Sequence, residues 1–172
     1  MGKDLIFFDK KGISLFNSPI EIGLRSLYLL NEIKDGSLDL QRLVYYDYLL
    51  LHSSDISNGP KSLHPNIPYR ASEILVKREI LQQGLSLMRS KQLVDILFKP
   101  DGIAYKSSSL TSAFLEYFNS EYSKSLRNLS SWVIDTFTDY GDSALSTFIV
   151  NNLDIWGGEF INESLLRNTD GN

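Results

Sequence analysis

From Tyr69 to Leu93, apolar residues recur at Ala71, Ile74, Leu75, Leu81, Leu85 and Met88. Steps of three, four and seven put them on one helical face. Arg78 falls on the same stripe and interrupts it. The other faces carry Glu73, Lys77, Glu79, Gln82, Gln83 and Arg89, with Glu73 and Lys77 spaced as a supporting i,i+4 pair. Beyond Leu93 the period drops to two. Val94, Ile96 and Phe98 share one side of a strand, and Ile103 and Tyr105 share one side of a second. Between them, Lys99-Pro100-Asp101-Gly102 is turn chemistry, because proline presets φ and glycine accepts a positive φ. A long helix followed at once by a tight hairpin is the second half of a winged-helix unit.

The flanking segments predict its first half and an extension. Ser18-Pro19-Ile20-Glu21 is a capping box with proline at the first helical position. It opens a helix carrying Ile20, Leu24, Leu27 and Tyr28 on one face and stopping near Asp35–Gly36. A second helix spans about Asp39 to Leu51, with Leu40, Leu43, Val44, Leu50 and Leu51 as its stripe. His52 to Pro68 is irregular, punctuated by Asn58-Gly59-Pro60, Pro65 and Pro68. After the hairpin come a short helix from Leu110 to Phe118, with Leu110, Ala113 and Phe114 on one side, and a longer one from about Ser120 to Asp139. A last helix runs from Ser143 to Trp156, capped by Asp142 and stopped by Gly157-Gly158. The predicted fold is mainly α: a winged-helix-like domain over 18–160, made of helices plus a small β-hairpin wing and followed by C-terminal helices. Residues 1–17 are expected to form an arm or hairpin, with LIFF and ISLF flanking Asp9-Lys10-Lys11-Gly12. Residues 161–172 are polar and expected to be a disordered tail.

Composition narrows the chemistry. The 172 residues include no cysteine, which excludes disulfides, thiolate metal sites and cysteine nucleophiles. No apolar run approaches the roughly 18 residues that would cross a bilayer. The N-terminus lacks the charged, apolar and small-residue order of a secretion signal, so the cytoplasm is the expected compartment and no membrane partner is expected. Net charge is −4 and the pI about 5.2, whereas a free-standing DNA binder is usually basic. Seven cations face four anions between Tyr69 and Lys106, a net of +3, which leaves −7 for the remainder. Arg70, Lys77, Arg78, Arg89, Lys91 and Lys99 are thus the candidate DNA contacts, in a basic element on an acidic body.

Two polar features invite a catalytic reading. Asp47 falls in the middle of the second helix's apolar stripe, where an unpaired carboxylate is costly. It is expected to pair with Arg25, Arg70 or Arg78; the alternative role is a general base. The loop from His52 to Pro68 holds both histidines, Asp55 and several serines. A Ser-His-Asp set or a two-histidine metal site is conceivable there, but no GxSxG elbow or HExxH motif supports either. Its polar side chains are expected to bond its own backbone or meet a partner, with Asp55 and His64 as candidate contacts. Gly157-Gly158 is not a phosphate loop, because no strand precedes it and no Gly-Lys-Ser/Thr occurs.

Linear order adds a resemblance. Ser18-Pro19-Ile20-Glu21-Ile22-Gly23-Leu24-Arg25, Leu38 through Leu50 (LDLQRLVYYDYLL), His52-Ser53-Ser54-Asp55, Ser62-Leu63-His64-Pro65 and Arg70 through Glu79 resemble the middle component of bacterial ABC-three-component systems. The similarity is greatest to the small subunit of Lamassu-type anti-phage defence complexes, and it covers about Ser18 to Phe160. It implies a non-enzymatic, cofactor-free adaptor that joins an SMC-like ATPase subunit to an effector, often a nuclease, with possible DNA contact within the complex. No catalytic residues carry over from the family. The broad apolar faces around Trp132 and Trp156 fit such a role as candidate partner surfaces. A DNA-binding winged-helix sensor or regulator is the alternative.

Overall fold

The computed structural model describes residues 18–65 and 73–169. The expected N-terminal arm and Arg70 lie outside them. Ser18 adopts extended backbone and its Oγ accepts the Glu21 N–H at 3.3 Å, which starts helix α1, Pro19–Glu32. Asp35 takes a positive φ of 59° and turns the chain. Two residues then extend as β1, Leu38–Asp39, and Asp39 caps α2, Leu40–Leu51, by accepting the Arg42 N–H at 2.7 Å. A short 3-10 turn follows at Ser53–Asp55. Helix α3 is Glu73–Ser90, and the wing is β2, Val94–Lys99, and β3, Gly102–Ser107. Three more helices complete the order: α4, Thr111–Glu116; α5, Glu121–Phe137; and α6, Asp142–Thr169.

The sheet is antiparallel throughout, in the order β1-β3-β2. Leu38 faces Tyr105 across β1 and β3, and Lys99 faces Gly102 at the hairpin's closed end. Gly102 has a φ of 140°, a conformation that side chains rarely adopt. Helix, strand, two helices, two-stranded wing is the winged-helix order. The sequence pattern misses β1, since two residues are too short to show a period.

Helices α1 and α3 cross almost backbone to backbone. A Cβ on Gly84 would lie 2.7 Å from the Pro19 carbonyl oxygen and 2.9 Å from the Gly23 nitrogen. Glycine inside a helix costs about 1 kcal/mol relative to alanine, and the close crossing is what offsets it here. The core beneath holds Leu27, Tyr28, Leu43, Tyr46, Leu81 and Leu85, all essentially without solvent. Helix α5 adds Leu126, Val133 and Phe137, and α6 adds Leu145, Ile149 and Trp156.

One guanidinium ties the winged helix to the C-terminal helices. Arg42 on α2 donates to the Tyr140 carbonyl at 2.7 Å and to Asp142 Oδ1 at 2.5 Å, and a third N–H reaches the Tyr46 hydroxyl at 3.1 Å.

Three expectations change. The last helix does not stop at Gly157-Gly158. It runs on to Thr169 and takes in residues 161–169 of the segment expected to be a disordered tail. Glycine lowers helix propensity without forbidding the helix. The short helix α4 turns Thr111 and Leu115 inward, leaving Leu110 and Ala113 exposed. Phe98 does share the Val94–Ile96 face of β2, yet it is 80% exposed, because it sits out at the wing tip.

Candidate functional site

Helix α3 and the wing form the face on which a winged helix does its work, and its electrostatics begin inside. Arg25 on α1 and Asp47 on α2 are both without solvent access. The guanidinium grips the carboxylate with Nε–Oδ1 at 2.5 Å and Nη2–Oδ2 at 3.1 Å. Lys77 of α3 brings its Nζ to 3.4 Å from Asp47 Oδ2. Burial works against the ionised Asp47 carboxylate, but Arg25 and then Lys77 outweigh it and hold its pKa below the ordinary value. Burial also opposes the charge on Arg25, and Asp47 again wins and raises that pKa. One anion and two cations therefore stitch the three helices of the winged-helix unit together.

The cluster continues outward as a polar chain. Glu21 Oε1 lies 3.8 Å from Arg25 Nη1 and accepts the Tyr122 hydroxyl at 3.4 Å. Burial raises the Glu21 pKa, with Arg25 pulling the other way. Tyr122, at the start of α5, also meets His64 Nε2 at 3.1 Å. Burial pushes the Tyr122 phenol up to about 12. His64 is lowered to about 4, first by burial and then by the Arg25 and Lys77 cations. It is a neutral imidazole at neutral pH.

The loop after α2 is tied down by its own polar groups. Ser54 N–H donates to Ser62 Oγ at 3.0 Å, and the His64 N–H reaches the Leu51 carbonyl at 3.3 Å. A Cβ on Gly59 would overlap the Ser53 carbonyl oxygen, so the turn admits no side chain. Asp55 accepts the Tyr48 hydroxyl at 3.0 Å, and its carbonyl accepts Trp156 Nε1–H at 3.3 Å. His52 is buried with its ring 4.8 Å from that of Tyr48. The histidines thus sit in different surroundings, and among the described residues no group of three or more His, Cys, Asp or Glu is placed to hold a metal.

The candidate contacts are placed as follows. Lys77 is a correction: it is 3% exposed beside Asp47 and is not positioned to meet phosphate. Arg78 is exposed and donates to Gln41 at 2.8 Å. Arg89 and Lys91 are exposed at the end of α3, and Lys99 at the wing tip donates to Ser37 Oγ at 2.7 Å. Trp156 is a second correction. It is 3% exposed and stacked on Tyr48 at 5.1 Å, so it fills the core of this chain. Trp132 is half-buried against the edge of Phe137. Asp55 and His64 are each partly buried in the contacts above.

Between α3 and the wing runs a groove whose helical wall is Glu79, Gln82, Gln83 and Ser86 and whose strand wall is Tyr105 and Ile103. Burial raises the Tyr105 pKa against the pull of Arg78 and Arg89. Beside its charged turn the wing exposes an apolar pair. Phe98 and Ile103 face each other across the strands at 80% and 49% exposure. Sequence patterning assigns both to strand faces and gives neither an exposure.

The architecture defines a winged-helix protein with an appended helical bundle. The chain belongs to the ABC-three component system Middle Component 2 family, whose model matches residues 15–159. As one component of a multi-component system, it has partner subunits. No curated protein and no solved structure matches it. Among the described residues, no helix is long and apolar enough to cross a membrane.

Proposed function

We propose that this chain is a non-enzymatic adaptor of an anti-phage defence complex of the Lamassu type. In this reading it bridges an SMC-like ATPase and an effector, a nuclease. The inward turn of Lys77 is the observation that carries it. A winged helix that reads DNA lays its second long helix in the major groove and spends the outward cations on phosphates. Here Lys77 is committed to Asp47, and the outward side of α3 carries Glu79, Gln82, Gln83 and Ser86 beside Arg78 and Arg89. A mixed, amide-rich helix next to a wing that exposes Phe98 and Ile103 suits a protein surface better than a phosphate backbone. Membership in a family of middle components supports the same reading.

The test is co-expression with the two neighbouring genes, with the affinity tag on this chain. A single size-exclusion peak containing all three proteins is the expected result. Separate elution of the three would overturn the adaptor. DNA binding by the isolated chain that weakens steeply with salt and is abolished by R89E/K91E would favour the sensor instead.

A further inference from the structure

The wing leaves one side of β2 unpaired. With the order β1-β3-β2, β2 stands at the sheet's edge among the described residues. The two-residue turn Pro100-Asp101 makes Lys99 and Gly102 a pair that exchanges both backbone hydrogen bonds, and such pairs alternate along an antiparallel ladder. Asp95 and Leu97 therefore also bond β3, while the N–H and C=O groups of Ile96 and Phe98 point away from the sheet. The same alternation turns the Tyr105 backbone toward Leu38, which is where β1 lies. Open edges invite further pairing and are commonly guarded by charge, here Asp95 and Lys99.

That guard is self-complementary. Asp95 and Lys99 stand symmetrically on either side of Leu97. Lay a second β2 antiparallel about a two-fold axis at Leu97, and Leu97 meets Leu97 while Asp95 meets Lys99 twice. Ile96 then exchanges hydrogen bonds with Phe98 twice, so the outward backbone groups meet each other. Moving the axis to Ile96 sets Asp95 against Leu97. Moving it to Phe98 sets Lys99 against Leu97 and Asp95 against Asp101. Only the Leu97 register matches charge to charge. It also takes water from Phe98 and Leu97, which are 80% and 37% exposed.

We propose that the β2 edge is a docking surface for a second copy of this chain, joined as an isologous, two-fold extension of the sheet with Asp95 and Lys99 paired across it. Lys99 exchanges its bond to Ser37 Oγ for a carboxylate. A seam of this length buries less than the roughly 1,200 Å² of a standard interface. The pairing therefore forms at high protein concentration or when a larger assembly holds two copies together. It rests on the wing alone and does not depend on the bridging role proposed above.

The full chain is examined by sedimentation equilibrium at rising concentration. The mass is expected to climb from 19.5 kDa toward twice that value. D95K sets like charges opposite each other and weakens association about tenfold. D95K/K99D restores it. The chain has no cysteine, so L97C places a single thiol against its own mate across the axis. Mild oxidation should link L97C into a disulfide dimer and leave F98C largely unlinked, because position 98 of one copy faces Ile96 of the other and the two new thiols stay apart. Far-UV circular dichroism verifies that each variant is folded. A monomer at every concentration, equal linking of L97C and F98C, or no rescue by the double variant would each overturn the proposal. So would a β2 edge that is needed only for binding a different subunit. Failure to co-elute with the neighbouring gene products would leave these results untouched.

Discussion

Arg25 and Asp47 form a two-point ion pair with neither side chain reaching solvent, joining α1 to α2 under the face of α3. Lys77 adds a second cation to the same carboxylate. Removing the anion therefore strands two positive charges in the interior. Asp47→Ala is expected to destabilise the fold by about 3–5 kcal/mol, the usual cost of breaking a buried pair from one side. Replacing Arg25, Asp47 and Lys77 together with apolar residues of similar volume should recover most of that loss. Urea denaturation of the single and triple variants measures both.

The α1–α3 crossing inverts the usual effect of alanine in a helix. Gly84→Ala would gain helix propensity, but its Cβ would meet the Pro19 carbonyl and the Gly23 backbone at under 3 Å. A net loss of about 1–3 kcal/mol is expected from the overpacking. Ser86→Ala, exposed on the same helix, should instead be neutral or slightly stabilising. The two urea midpoints, compared side by side, separate crowding from propensity.

His64 should give the protein an acid-sensitive limb. Its folded pKa is about 4 against an ordinary 6.5, so the unfolded chain binds the proton first. The stability held by the neutral imidazole is complete above about pH 6.5 and is lost as pH falls toward 4. His64→Gln should flatten the stability–pH curve across that window and leave the neutral plateau within about 1 kcal/mol. Thermal melts at a series of pH values provide the check.

Trp156 is predicted to matter to the chain's own stability before any partner is present. It stacks on Tyr48 and donates to the Asp55 carbonyl. Trp156→Ala should cost about 3–5 kcal/mol, whereas Trp132→Ala, at a half-buried position, should cost less. Denaturation of the isolated variants distinguishes the two, and the remaining tryptophan reports the transition by fluorescence.

Local chemistry makes much of this fold readable. Ser18 caps the helix it precedes, the Lys99–Gly102 turn closes the wing, and Arg25 is among the few cations that the apolar stripe around Asp47 calls for. Each depends on residues near in sequence or on a cost that only one kind of partner can meet. Lys77 escapes such reasoning because periodicity assigns a side of one helix and says nothing about a carboxylate buried on another. Trp156 escapes it for a related reason: a broad apolar face looks the same whether Tyr48 or a different protein covers it. The exposure of Phe98 depends on where the wing outruns α3, a distance that alternation along a strand does not encode. The polar chain through Glu21, Tyr122 and His64 joins residues far apart in sequence, and no spacing rule links them.

The Arg42 clamp has a mechanical consequence. One side chain at the head of α2 grips both the carbonyl just before α6 and the first acidic residue of that helix. A pull applied along α6 is thereby delivered to the root of α2, next to the strand that anchors the wing. A partner holding the far helix and another holding the wing would feel each other's load through this guanidinium as well as through the shared core, and trimming it to alanine would leave the stacking of Trp156 on Tyr48 to carry that load.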